Sequence, residues 1–171
     1  MKIIVTGGAG FIGSNFIYYM FKAHPEYRII CLDSLTYAGN LSTIQKAMEK
    51  PKFRFVQASI TDREAVYRLF EEEKPDVIVN FAAESHVDRS IENPQLFRQT
   101  NILGTQNLLD AARRAWVTGK DENGYPTWRK DVRYHQGSPD EVYGSLGAEG
   151  FFTETTPLCP HSPYSASKTS A

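Results

Sequence analysis

At 171 residues, with 41% hydrophobic and 23% charged side chains, the chain has the composition of an ordinary folded domain and the length for one substantial core. Its 19 Lys and Arg against 20 Asp and Glu leave a formal charge of -1, which argues against nucleic acid or an anionic membrane as partner, so any anionic ligand must be held locally. The 2 cysteines, Cys31 and Cys159, have neither metal-ligand nor disulfide-framework spacing, and no apolar run reaches signal-peptide or membrane-span length. A reducing, cytoplasmic setting without a metal site is therefore expected.

Strand-length apolar runs recur at 2–6 (KIIVT), 27–32 (YRIICL), 53–57 (FRFVQ), 76–81 (DVIVNF) and 131–136 (DVRYHQ). Helical patterns separate the first four, which predicts parallel strands joined by crossover helices in a sheet buried on both faces. Helices are expected from Gly13 to Lys22, from Leu41 to Lys50 before Pro51, and from Asp62 to Glu73 with Asp62 as N-cap. The longest should run from about Pro94 to Trp116. There Leu96 and Leu103, and Ile102, Leu109 and Trp116, recur at seven-residue spacing and predict an apolar stripe facing the sheet. Residues 119–130 are polar, carry Gly124 and Pro126, and read as a surface excursion. In "SPYSASKTSA" a helix is expected to start at Tyr164, and the chain stops at Ala171 after fewer than three turns, so it is expected to be the N-terminal part of something longer.

"VTGGAGFIGSN" follows the first strand and opens the first helix. It satisfies G-x-G-x-x-G as Gly8, Gly10 and Gly13, and G-x-x-G-x-x-G as Gly7, Gly10 and Gly13. Absent side chains permit a tight turn, close approach of backbone N–H groups to a pyrophosphate, and close packing of helix on strand, with the helix N-terminus supplying a positive dipole end. Alone the pattern also fits a flexible loop. The strand-turn-helix-strand context favours a dinucleotide site, because Asp33 ends the second strand where a carboxylate accepts ribose hydroxyls. Ser34 follows, with no Arg to receive a 2′-phosphate, which favours NAD over NADP.

Tyr164 and Lys168, four apart in "YSASK", lie on one helix face about 5–6 Å apart at Cβ. Tyrosine, with a pKa near 10, becomes a base at neutral pH only if lowered by about three units, roughly 4 kcal/mol, which a neighbouring ammonium and an oxidised nicotinamide would supply. The same spacing occurs on ordinary solvated helices. "HQGSPDEVYG" places Asp140 and Glu141 after a proline, where ordinary turn chemistry competes with an acid/base pair.

Together "TGGAGFIG", Asp33, Asn101 in the long helix and Tyr-x-x-x-Lys resemble the extended short-chain dehydrogenase/reductase family. "LDSLTYAGN", "AAESHVDRSI", "TNILGT", "DEVYG" and "SPYSASK" are similar to its dTDP-glucose 4,6-dehydratase branch along the whole chain. The resemblance implies a Rossmann-type doubly wound parallel sheet over residues 1–171, truncated and lacking the C-terminal substrate domain, with NAD as cofactor and a homodimer built on the long helix and the helix from Tyr164. It implies that Gly7, Gly10, Phe11, Ile12, Gly13, Asp33, Leu35 and Thr36 line the adenosine and pyrophosphate. Ser59 and Ile60 lie at the adenine, and Ala82, Ala83, Thr100, Tyr164 and Lys168 lie further along the cofactor. Ser85, near both cofactor and sugar, and Pro139 stand at the substrate. The implied reaction converts dTDP-glucose to the 4-keto-6-deoxy sugar by C4 oxidation, water elimination across C5–C6 and hydride return to C6. In it Tyr164 is base to the C4 hydroxyl, Glu141 is base to C5 and Asp140 is acid to the departing hydroxyl. Burial and mutual repulsion are expected to split the proton states of Asp140 and Glu141.

Three positions depart from that pattern. Pro139 replaces a threonine whose hydroxyl bonds substrate, Gly137 replaces an apolar strand residue, and Ser59 replaces an aspartate at the adenine. Two other functions stay open: a sister nucleotide-sugar epimerase or decarboxylase that needs no acid pair, and a non-catalytic NAD-binding fragment. Ala82 and Ala83 also read as close-packing residues, and "HVDRS" as a helix start capped by Asp88.

Overall fold

The computed structural model describes all residues, Met1–Ala171. Five strands form one parallel sheet: β1 (Lys2–Thr6), β2 (Arg28–Asp33), β3 (Phe53–Gln57), β4 (Val77–Asn80) and, late in the chain, β7 (Arg133–Gln136). Their spatial order is β3-β2-β1-β4-β7, a doubly wound sheet with its switch between β1 and β4. All five strands fall on the expected apolar runs. Burial on both faces holds at the centre, where Ile4, Val5, Ile29 and Ile30 are fully buried. The outer strands β3 and β7 are only half covered.

On one face α3 (Arg63–Glu73) and α6 (Thr105–Trp116) pack against Ile4, Ile30, Leu32 and Ile78. On the other, α1 (Phe11–Ala23) and the short α2 (Gln45–Met48), entered through a 3-10 turn at Leu41–Ile44, cover Ile3, Val5, Ile29 and Cys31. Asp62 caps α3 as expected, accepting from Ala65 N at 3.0 Å.

Residues 94–116 are helical throughout, but in three pieces: α5 (Pro94–Phe97), a π-helical segment Arg98–Gly104, and α6. The short α4 (Val87–Glu92) precedes them. The expected apolar stripe is corrected, because Leu103 is 52% and Leu109 is 44% exposed. Trp116 is buried as expected, but Phe97, Asn101, Gly104, Leu108, Ala111 and Ala112 face inward with it. The π segment shifts the helical phase, and small residues set the approach: a Cβ on Gly104 would stand 2.6 Å from Ile60 Cδ1. The expected surface excursion is an antiparallel hairpin of β5 (Val117–Lys120) and β6 (Pro126–Trp128). The last helix, α7 (Pro163–Ser170), starts one residue before Tyr164 behind a Ser162–Ser165 capping box.

The amino edge of the sheet is closed by charge. Glu73, 4% exposed at the end of α3, accepts from Arg28 on β2 (Nε and Nη2, both 3.0 Å) and from Arg54 on β3 (2.7 Å). The two guanidiniums hold its carboxyl down at about 2. No helix is long and apolar enough to cross a membrane.

Candidate active site

The motifs singled out above converge on the carboxyl edge of the sheet. Gly7 takes φ +63°, and a Cβ there would stand 2.7 Å from Ala82 N. A Cβ on Gly13 would stand 2.7 Å from Gly8 Cα. These two glycines let the turn lie directly on the ends of β1 and β4. Gly10 is the least crowded, its Cβ position meeting only Gly7 O at 3.3 Å and Ala38 O at 3.8 Å, so the bare backbone is presented outward. No side chain caps the N-terminus of α1 and no acid sits in its first turn, which leaves its leading N–H groups for an anion. Phe11 and Ile12 stand exposed beside it.

Asp33 does more than the sequence suggested. Its Oδ2 accepts from Ala9 N in the glycine turn at 2.9 Å, and its Oδ1 accepts from Leu35 N at 2.8 Å. It thus bolts the turn to the end of β2 while lone pairs remain for ribose hydroxyls. Leu35 is held at φ +54°, a left-handed conformation rare for its type, by that second bond. Thr36 follows on the exposed loop.

Ala82 and Ala83 are half-buried where β4 ends, and Ala82 is in close contact with the glycine turn, so the close-packing reading holds for it. Asn101, buried in the π segment, accepts from Glu84 N (2.9 Å) and donates to Glu84 O (3.0 Å) and to Ser167 Oγ on α7 (2.9 Å). One amide therefore ties the loop after β4 to the last helix. Ser85 is exposed on this loop and Thr100 half-buried above it. Glu84 is 6% exposed, and its Oε2 has no hydrogen-bond partner. Such a buried acceptor costs about 1–3 kcal/mol unless a donor meets it. The bare glycine turn and the uncapped helix fit NAD. The cap proposed for α4 is corrected: His86, not Asp88, is the N-cap residue, and it makes no side-chain bond.

Tyr164 is 8% exposed, its N–H donating to Ser90 Oγ at 3.0 Å and its ring edge-on to Phe97 at 6.3 Å. Asp140 and Glu141 lie in a 3-10 turn, Asp140–Tyr143, packed against α7. Both are exposed, so the burial expected to separate their proton states is absent. Their charges act on Tyr164 instead. Burial first, then Glu141, Asp140 and Tyr37, raise its phenol above the ordinary tyrosine value. The expected lowering by Lys168 is thus not present in the protein alone. Lys168 Nζ donates to Gly137 O at 2.8 Å, and burial pushes the ammonium pKa down.

Gly137 also donates to Asn80 O at 3.1 Å, continuing the ladder, and a Cβ there would come within 3.2 Å of that same oxygen. The missing side chain is therefore accommodated by a close approach. Pro139, extended at φ -86° and ψ 165°, leads into the acidic turn with no capping group. Ser59 and Ile60 follow the carboxyl end of β3, next to Ala58, whose N–H donates to Asp33 O at 3.1 Å. Ser59 Oγ accepts from Thr61 N at 3.1 Å, and Ile60 is in the core against Gly104. A cleft of about 430 Å³ between α3, α6 and Arg129 contains no candidate residue.

Residues 4–171 match the profile of a family described as GDP-mannose 4,6 dehydratase. The chain belongs to this family. It is 51% identical over 166 residues, 96% of the chain, to a dTDP-glucose 4,6-dehydratase of Xanthomonas campestris pv. campestris, of which it covers 45%. The solved dTDP-glucose 4,6-dehydratase of Bacillus anthracis, in complex with NAD, is 44% identical with a TM-score of 0.81, over 99% of this chain and 47% of that one. DesIV, the Streptomyces venezuelae dTDP-glucose 4,6-dehydratase with NAD and TYD bound, is 44% identical with a TM-score of 0.84, over 99% and 49%. This 4,6-dehydratase-family chain thus spans about half the length of the curated relatives it matches.

Polar groups that the sequence reading passed over complete the site. Asn80 donates to Gln136 Oε1 (2.9 Å) and Thr105 Oγ1 (3.3 Å) and accepts from Thr6 Oγ1, linking β1, β4, β7 and α6 in the core. Its signal was a lone asparagine in an otherwise apolar strand. Ser90 and Ser167 carried none.

Proposed function

We propose that this chain is the NAD-binding domain of a dTDP-glucose 4,6-dehydratase, with the acid pair and the tyrosine acting in dehydration and the sugar held by a further domain. The observation that carries this reading is that the turn bearing Asp140 and Glu141 packs on the helix bearing Tyr164, at the same sheet edge as the glycine turn.

Gly7, Gly10, Gly13, Phe11, Ile12, Asp33, Leu35 and Thr36 would hold the adenosine and pyrophosphate, and Ala82, Ala83, Ser85, Thr100, Tyr164 and Lys168 the nicotinamide end. Ser59, at the carboxyl end of β3, would meet the adenine with its hydroxyl or backbone, and Ile60 with its backbone. Bound there, NAD supplies the oxidising and then the reducing equivalent of a closed redox cycle. Tyr164 Oη accepts the proton of the sugar C4 hydroxyl as C4 becomes a ketone. Glu141 takes the C5 proton, acidified by that ketone, and protonated Asp140 delivers a proton to the departing C6 hydroxyl, so one water leaves. Lys168, anchored on Gly137 O, stabilises the phenolate. Ser85 and Pro139 flank the sugar, with Pro139 offering shape where a hydroxyl would bond. The exposed Leu103 and Leu109 on the long helix support pairing with a second copy.

The test joins this chain to the C-terminal half of the Xanthomonas campestris relative and supplies NAD and dTDP-glucose. Loss of one water by mass, abolished by Tyr164→Phe, is expected. A product of unchanged mass, epimerised at C4, would overturn the dehydratase reading.

A further inference from the structure

Tyr37 lies in the loop leaving β2, and its ring reaches across to the start of α4. The Arg89 guanidinium carbon stands 4.2 Å from the Tyr37 ring centroid, and the His86 ring lies 5.2 Å away. In the sheet β1 sits between β2 and β4. A contact from the loop after β2 to the helix after β4 therefore spans the carboxyl end of β1, which is where the glycine turn begins. Tyr37, Arg89 and His86 form an arch over that turn.

The two feet of the arch are firm. On the β2 side, Asn40 N donates to Ala9 O at 3.1 Å and Thr43 Oγ1 donates to the same oxygen at 2.7 Å. On the β4 side, Ser90 is fully buried, with its N–H on His86 O at 3.0 Å and its Oγ accepting from Tyr164 N. The keystone is loose by comparison. Tyr37 is 46% exposed, Arg89 and His86 are exposed, and Arg89 makes no ion pair with any carboxylate. An unneutralised guanidinium above a turn of outward N–H groups gains most from an anion between them.

We propose that Tyr37, Arg89 and His86 are a latch that closes over the bound dinucleotide and retains it through turnover. The proposal rests on the NAD reading above and extends it. A cycle that oxidises C4 and later reduces C6 with the same cofactor fails if the reduced cofactor escapes between the two steps, so slow release has a chemical purpose. The stack is weak enough to open: a partly exposed cation–π pair and a ring contact change a rate by a modest factor.

The experiment preloads the intact protein with NADH, chases with excess NAD, and follows nucleotide fluorescence by stopped flow. Tyr37→Ala and Arg89→Ala, one on each side of the arch, should each release NADH about three- to tenfold faster. Association should change less than about twofold, since the weak stack opens readily until an anion between arch and turn holds it shut. The double variant should be no faster than the quicker single variant, and Tyr37→Phe, which keeps the ring, should match the parent. Parental release rates in both alanine variants overturn the latch while leaving NAD binding intact. Failure of the parent to bind NADH overturns the cofactor reading and the latch together. Because each alanine variant alters only an exposed side chain, their thermal unfolding should match the parent's, and agreement between them excludes a local defect in either loop.

Discussion

Tyr164 shows how a single side chain can be recognisable in a sequence while its state is not. Four-residue spacing to Lys168 was enough to nominate it, but the direction of its pKa follows from neighbours distant in the chain. Asp140 and Glu141 disfavour the phenolate, so Asp140→Asn with Glu141→Gln should move the Tyr164 ionisation to lower pH. Ultraviolet difference titration against a Tyr164→Phe background reads this, and an unmoved transition would show that the acids do not act on it. At the opposite edge, Glu73 has a folded pKa depressed to about 2. Its stabilisation is complete above the unfolded carboxylate value and is lost as pH falls through the folded one. At most about 3 kcal/mol should disappear between pH 5 and pH 2, less where solvent screens the half-exposed arginines. Urea midpoints across that range measure it, and Glu73→Gln should flatten the acid limb while lowering stability at pH 7.

Among the elements, α7 is short and depends on its cap. Ser162→Ala removes the capping box and should cost about 1 kcal/mol, seen as faster hydrogen exchange through Pro163–Ser170. Asn101→Ala cuts three buried hydrogen bonds at once, to Glu84 and Ser167, and should cost about 2–4 kcal/mol while freeing both the loop after β4 and α7. The long helix explains why such a bond set escaped a periodicity argument. Seven-residue spacing pointed at Leu103 and Leu109, whereas the π segment turned Asn101 and Gly104 inward, and a change of hydrogen-bond register has no compositional signature. The hairpin β5–β6 was equally hidden, since its strands are short, polar and interrupted by Gly119 and Pro126.

At the scale of the molecule, the chain carries a doubly wound sheet and the proposed chemistry but spans about half the length of its curated relatives. We expect it to bind NAD and not to dehydrate dTDP-glucose without a sugar-binding partner domain. Detectable 4-keto-6-deoxy product from this chain alone would refute that expectation. In the fusion with the relative's C-terminal half, Pro139→Thr should raise kcat/KM by supplying the substrate-bonding hydroxyl that the family resemblance implies at this position. Gly137→Val should give no such gain, because its Cβ would press on Asn80 O.

Short-range pattern was sufficient for the five sheet strands, the glycine turn, Asp33 as the end of β2 and the Tyr-Lys pair, because each is set by local geometry: period-two or continuous apolar runs, absent Cβ atoms, and four-residue helical spacing. Tertiary structure alone decided that Asp140 and Glu141 are exposed yet act on Tyr164, that Lys168 rests on Gly137 O, that Asn101 ties two distant segments, and that Tyr37 meets Arg89 across β1. Each of these depends on which strands the sheet sets side by side, and strand order is fixed by packing energy summed over the whole core, not by any stretch of neighbouring residues.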